Sequence, residues 1–346
     1  MEYDIVLITR NRPDVLRISI PLMLAQSRVP RNFIVVDASD DHESVRQVIE
    51  NLWTRETPPR LSILHDEPGT SRQRNVGLRC VSSPVVIFPD DDSLWFPGTA
   101  EAMMRIYERD GDRTIGAVCA AEAPQPPWEK SFSQPYRLAG TEKLKRLYLK
   151  YLRSRMLLAF PDPLYFHCDA VRAPEWLAEE KAVVQGPMAG FRMSFRADLI
   201  KEIGFDESLG RYALSEDIEA SLAILKTHLI VRAENARVYH YSYPSKRIKG
   251  KGMGMMQMLN RAYIVCKYNG PEAPARKFLW RFLIFRLIGY LSQFFNHYGR
   301  DKFRGSLRAL RYVNRIRNAA PAELQATYRR LRDECAGRLG LDRDSS

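Results

Sequence analysis

The chain has 346 residues, with 53 Lys and Arg against 41 Asp and Glu, a formal net charge of +12. With 45% hydrophobic and 10% aromatic residues it can bury a sizeable core, which excludes a wholly disordered chain, and its length suits two or three domains or one large one with an appendage. Its five cysteines (Cys80, Cys119, Cys168, Cys266 and Cys335) form no CxxC pair, which argues against a disulfide framework or zinc knuckle and makes a reducing compartment the expectation.

The opening MEYDIVLITR has no basic n-region and only a short apolar run, so no secretory signal is expected. Tyr3 to Thr9 reads as a strand and about Asp14 to Gln26 as a helix. Asn32 to Val36 is a second strand, ending in the acidic loop Asp37-Ala38-Ser39-Asp40-Asp41. A helix is predicted from about His42 to Trp53, a short strand over Leu61–Leu64, a helix over Ser71–Cys80 and a buried strand over Ser83–Phe88. Strands separated by helices of this length predict right-handed βαβ units and a mostly parallel sheet, with ligands at the carboxyl ends of the strands. No internal repeat or low-complexity segment interrupts the chain. Residues 121–185 break the alternation with a Pro-rich loop and a basic, apolar helix candidate over 141–160, and read as an insertion over one face of the sheet.

Several groups of residues can carry chemistry. Asp90-Asp91-Asp92 follows the apolar strand directly, and three successive carboxylates repel one another unless a cation or hydrogen-bond donors neutralise them. They suit Mg²⁺ or Mn²⁺ bridging to phosphate oxygens; a solvated acidic turn is the alternative. Asp37 at the second strand end can accept bonds from a nucleobase or ribose, or the loop can simply cap a helix. Pro68 to Leu78 supplies a glycine turn, a helix start and Arg74, an arrangement that can face an anion. Farther on, Ser215 is expected to cap a helix opening with Glu216 and Asp217 and lined inside by Ile218, Leu222 and Leu225. Those acids either complement the helix dipole or provide a general base. His240, in the strand Ala236–Tyr241, is open to a structural or a ligand role.

Taken in order, ITRNRP, VVDASDD, GTSRQRNVGL, the DDD strand end, GFRMSFR and GFDESLGRYALSED resemble the family-2 glycosyltransferases of GT-A fold, over residues 3 to about 241. The resemblance implies an α/β GT-A fold, Rossmann-like with helices flanking the sheet, and sugar transfer from a nucleoside-diphosphate sugar to a hydroxyl, with inversion. It further implies nucleotide-sugar contacts from Thr9, Arg10, Asp37, Arg74, Asp90, Asp91 and Gly190, with Asp37 taking the base. Asp92, Asp90 and His240 would hold a divalent metal, Mg²⁺ or Mn²⁺; Asp217 would be the catalytic base with Glu216 supporting it. Arg192 is an unusual residue in the matched segment lining the sugar and acceptor site. A nucleotidyltransferase would be expected to open with a Gly-rich loop, which ITRNRPDV lacks, and a non-catalytic sugar-nucleotide-binding protein would need to have lost a carboxylate that is present here.

Charge divides the chain near residue 245. Residues 1–245, the expected catalytic domain, carry 31 basic and 34 acidic side chains, and residues 246–346 carry 22 and 7, a net of +15. Lys246, Arg247, Lys249 and Lys251 open this basic α-helical region. A polyanionic partner is implied, and with no nucleic-acid recognition module in the tail, an anionic membrane surface fits better, on its cytoplasmic side as the family resemblance implies. The run over 278–295 is long enough to span a bilayer, but Arg281 and Arg286 interrupt it, each costing about 2.5–3.5 kcal/mol at mid-bilayer. An interfacial or shallowly inserted helical hairpin is the expectation, with a soluble helical subdomain as the alternative. Family resemblance adds a lipid-linked or glycan-precursor acceptor, as in polysaccharide biosynthesis.

Overall fold

The computed structural model describes residues 1–53, 59–128, 171–210, 214–242, 250–291, 294 and 296–339. The described residues divide into two compact units, one formed by residues 1–128 and 171–242 and one containing the C-terminal helices from residue 250 on. The helix candidate over 141–160, Cys168 and the basic residues Lys246, Arg247 and Lys249 lie outside the described residues.

The first unit is built on a nine-stranded sheet in the order β3-β2-β1-β4-β8-β6-β9-β5, with β7 also paired to β9. Strands β1 (Tyr3–Thr9), β2 (Asn32–Asp37), β3 (Arg60–His65) and β4 (Val85–Phe88) form its parallel half. Helices α1 (Pro13–Leu24), α2 (His42–Leu52) and α3 (Thr70–Arg79) make the crossovers. β1, β2 and β4 are buried along nearly their whole length, which explains why they read as continuous apolar runs. At Gly77 on α3, an added Cβ would stand 2.4 Å from Val6 Cγ1, so only glycine lets this helix lie so close to β1.

Strand β5 (Ser93–Trp95), helix α4 (Thr99–Arg109), β6 (Ile115–Glu122), β7 (Ala182–Gln185), β8 (Met193–Arg196), helices α5 (Ala197–Ile203) and α6 (Glu216–Ile224), and β9 (Leu229–His240) complete this unit. β8 is antiparallel to both β4 and β6, and β9 is antiparallel to β5 and β7 but parallel to β6. The short segments β5, β7 and β8 arise from pairings distant in sequence, which a periodic pattern does not reveal. α6 departs from expectation in two details. Ser215 occupies the cap position with a left-handed φ of 78° and makes no side-chain cap bond. Asp217 Oδ1 instead accepts from the Ile218 N–H at 2.8 Å. The helix buries Ala220, Leu222, Ile224 and Leu225, while Ile218 is only partly covered.

The second unit contains α7 (Gly250–Tyr268), the short α8 (Pro274–Lys277), α9 (Leu279–Leu291), α10 (His297–Arg317) and α11 (Leu324–Leu339). Among the described residues no helix is long and apolar enough to cross a membrane. α9 has 13 residues and buries Leu279, Phe282 and Leu283 within the unit, so part of the apolar run at 278–295 belongs to a helical core. α7 and α10 cross with their backbones in contact. A Cβ on Gly254 would fall 1.9 Å from the Lys302 carbonyl oxygen, and one on Gly305 would fall 2.0 Å from that of Lys251. Gly254→Leu should therefore destabilise this unit by about 1–3 kcal/mol or more in denaturant unfolding. Gly337→Ala, in open space on α11, should be neutral or stabilising by up to about 1 kcal/mol. A Gly254→Leu protein as stable as wild type would show that the crossing tolerates separation.

Candidate active site

The register of the parallel half sets Thr9, Asp37 and His65 side by side at the carboxyl ends of β1, β2 and β3. Asp90 forms an isolated bridge with Ile8, bringing the DDD turn to the same edge. Gln73 fastens this edge from above, its amide donating to the Thr9 carbonyl at 3.0 Å and the Val36 carbonyl at 2.9 Å. Loops join across it as well: Asn11 N–H donates to Ser39 Oγ at 2.6 Å, and Arg10 Nη2 reaches Asp40 at 3.3 Å on the exposed rim.

The three aspartates do different things. Asp91 is buried; it accepts from Thr9 Oγ1 at 2.9 Å and from Arg12 Nη1 at 2.7 Å. Burial, offset by Arg12, raises its pKa to about 7. Asp90 accepts from Arg74 Nη2 at 2.9 Å. Its carboxyl is also pushed up by burial against the pull of Arg74. Asp92 lies 3.4 Å from His240 Nε2 and 3.6 Å from Arg12 Nη1. Burial alone would lower the His240 pKa, but the hydrogen bond and charge of Asp92, aided by Asp90, raise it overall. Phe191 stacks on the His240 ring with centroids 4.6 Å apart and planes 9° from parallel.

Arg74 is the buried hub, with 1% of its surface exposed. Nη1 donates to Glu216 Oε1 at 2.5 Å and Nη2 to Asp90, while Nε–H has no hydrogen-bond partner among the described residues. Desolvation raises Glu216 to about 8, against the attraction of Arg74. Asp217, the next residue, faces elsewhere and accepts from the Gly190 N–H at 2.8 Å. A Cβ on Gly190 would sit 3.1 Å from Arg74 Nη2 and 3.7 Å from Asp217 Oδ2, so this glycine lets the backbone donor reach the carboxylate. Arg192 turns to the Ala120 carbonyl, donating from Nη1 at 2.8 Å.

Two groups of three metal-ligating side chains occur among the described residues, each with its ligand atoms within 4.8 Å of one another: Asp90, Asp92 and His240, and Asp37, His42 and His65. In the second group the fully buried Asp37 accepts from Ser39 N and Oγ at 2.9 and 2.5 Å, and His42 Nδ1 lies 2.7 Å from its Oδ2. His42 and His65 are in ring contact, centroids 4.4 Å apart. Two carboxylates and an imidazole converging from a turn and an adjacent strand suit a divalent cation with oxygen-rich ligation, so Asp90, Asp92 and His240 fit the expected metal. Sequence reading left Arg12, Phe191, His42 and His65 unassigned. Arg12 lies inside ITRNRP and Phe191 inside GFRMSFR, but their partners are distant in the chain.

The family profile described as Glycosyl transferase family 2 matches residues 4–194. The chain belongs to this family. Comparison with curated proteins finds no match. Among solved structures, the mannosyltransferase PcManGT from Pyrobaculum calidifontis, in complex with GDP-Man and Mn²⁺, is 14% identical. That alignment covers 97% of this chain and 84% of the other, with a TM-score of 0.50, a likeness of fold. TarS 1–349 of S. aureus is 13% identical, with 98% of this chain and 92% of the other aligned at a TM-score of 0.46. The fold is GT-A and the family's activity is glycosyl transfer.

In this glycosyltransferase the Arg74 network makes a direct prediction. Arg74→Met removes the cation shared by Glu216 and Asp90 and should cost about 3–5 kcal/mol in urea unfolding. Arg72→Met on the same helix breaks only surface pairs with Asp66 and Glu67 and should cost about 1 kcal/mol or less. Equal effects would remove Arg74 from its structural role.

Proposed function

We propose that the protein is an inverting glycosyltransferase that moves a sugar from a nucleoside-diphosphate sugar to an acceptor hydroxyl on a lipid-linked or glycan precursor. The arrangement of Asp217 carries this reading. Its two oxygens are held by the N–H groups of Gly190 and Ile218, while its neighbour Glu216 is committed to Arg74. A carboxylate fixed by backbone donors, with no arginine ion pair among the described residues and with Asp90 and Arg74 nearby, supports a base that takes a proton at the crevice.

In the proposed reaction the acceptor oxygen attacks the anomeric carbon from the face opposite the diphosphate. Its proton passes to Asp217, the bond from the anomeric carbon to the diphosphate breaks, and the nucleoside diphosphate leaves. Asp90, Asp92 and His240 would hold Mg²⁺ or Mn²⁺. Such an ion, when bound, supplies Lewis-acid neutralisation of charge on the leaving diphosphate. Gly190 orients the base, and Glu216 with Arg74 fixes the start of α6. The nucleobase is assigned to the edge formed by Thr9, Arg10, Asp37, His42 and His65. Asp37 then contributes either directly or by orienting His42, since its carboxylate already binds Ser39 and His42. Asp91 supports this edge through Thr9 and Arg12. The domain assignment follows: residues 1–245 catalyse transfer, and the basic region 246–346 holds the enzyme peripherally against the anionic cytoplasmic face of a membrane. The +15 charge and the absence, among the described residues, of a helix long and apolar enough to cross a bilayer support that placement.

Asp217→Asn should lower transfer by about 10²–10⁴-fold while calorimetric affinity for a sugar nucleotide with Mn²⁺ changes little. Wild-type turnover would overturn the assignment of the base. Asp92→Asn should raise the Mn²⁺ concentration for half-maximal activity by more than about tenfold, and an unchanged requirement would remove Asp92 from the metal site.

A further inference from the structure

α10 presents three faces. Ser306, Ala309, Val313 and Ile316 are buried, and with Gly305 they form the side turned to α7. A second face meets α9, where Trp280 Nε1 donates to Asn314 Oδ1 at 2.7 Å and the Lys302 ammonium lies 4.4 Å from the centre of the Tyr290 ring. The third carries Arg300, Arg304, Arg308, Arg311 and Arg315, all exposed. Their spacings of four, four, three and four residues keep them in one stripe, and at 1.5 Å per residue it runs about 22 Å. Stepping 100° per residue places this stripe on the side away from the buried one.

The charge on the stripe is largely uncompensated. Arg304 and Arg315 have carboxylates only at the outer limit of an ion pair, Asp301 at 3.8 Å and Glu334 at 3.9 Å. Arg300, Arg308 and Arg311 have no carboxylate within 4.0 Å among the described residues. Asp301 is the single acidic residue of α10, and it also lies near Lys251. Leu307, beside Arg304, Arg308 and Arg311, is 51% exposed, the largest exposure among the big apolar side chains described. A helix that puts guanidinium groups and an apolar side chain together on its outer surface matches the composition of helices that lie at a lipid interface, where arginine forks pair with phosphate and apolar groups enter the headgroup boundary.

We propose that the arginine face of α10 is the surface by which this enzyme contacts an anionic phospholipid bilayer, the helix lying along the membrane plane. The inference rests on the membrane-surface reading above and names the element that makes the contact. It differs from the expectation drawn from the apolar run at 278–295: α9 gives Leu279, Phe282 and Leu283 to the unit's core, whereas α10 leaves its cations outside. The bilayer is favoured over a nucleic acid because Leu307 lies among the arginines, where a phosphate backbone offers it no apolar partner.

The 346-residue chain should co-sediment with vesicles of equal parts phosphatidylglycerol and phosphatidylcholine and be released by added salt. Pure phosphatidylcholine vesicles should not retain it. Each Arg→Gln change at 304, 308, 311 or 315 should lower partitioning about fivefold, and the quadruple variant by more than about a hundredfold. The quadruple variant should keep wild-type thermal unfolding and sugar-nucleotide turnover, and the corresponding Arg→Lys variant should keep most of the binding. Arg329→Gln with Arg330→Gln, exposed on α11, should bind much more nearly as wild type does. Wild-type binding that survives the quadruple change would overturn the assignment to α10 while leaving membrane attachment standing. No binding of wild-type protein to anionic vesicles would overturn both, as would salt-sensitive binding to duplex DNA without vesicle binding.

Discussion

The site is organised by one buried cation. Arg74 has almost no access to water, and removing a guanidinium from water is costly unless anions meet it in the interior. Glu216 and Asp90 do so, and the contact ties α3, the turn after β4 and the start of α6 to a single point. The same contact sorts the carboxylates. Glu216 and Asp90 face Arg74, Asp91 is taken by Thr9 and Arg12, and Asp92 turns to His240. Asp217 is held by two backbone donors, one of them on Gly190, whose missing side chain also spares Arg74 a clash. Five acidic side chains in a small volume would otherwise repel one another; here each is met by a cation, an imidazole or backbone donors, with Arg74 shared between two of them.

Much of this could be read from the chain itself because its signals are local. The apolar strand before Asp90-Asp91-Asp92 ends where expected, the second strand runs one residue farther to include Asp37, and the helix bearing Arg74 starts within one residue of its expected position. Parallel strands buried on both faces leave continuous apolar runs that survive without knowledge of their neighbours. The missing parts depend on distant partners. Arg12 gains meaning only when Asp91, 79 positions away, is folded against it. His65 reaches Asp37 and His42 through strand register, and Phe191 reaches His240 through packing. The left-handed Ser215 is a local strain of about 1–3 kcal/mol, and nothing in a serine's identity announces it.

The C-terminal region shows a similar limit. Its charge asymmetry was plain in composition, but composition cannot say which side chains face outward. Close packing at Gly254 and Gly305 decides this for α10 by fixing the side that meets α7. The apolar run suggested a membrane hairpin, yet part of that apolar surface fills the helical unit itself. Hydropathy counts side chains, whereas packing determines which of them water or lipid can reach.

Sugar transfer and nucleotidyl transfer both use acidic strand ends and nucleotides, and they differ in the bond that breaks. The most direct measurement is therefore chromatographic identification of the products formed from a panel of uridine, guanosine and deoxythymidine diphosphate sugars, with Mn²⁺ or Mg²⁺ and with chelator. Release of a nucleoside diphosphate from at least one donor, dependent on the metal, is the predicted result. Pyrophosphate-dependent formation of a nucleoside triphosphate, or nucleoside-diphosphate release unaffected by chelator, would contradict the account.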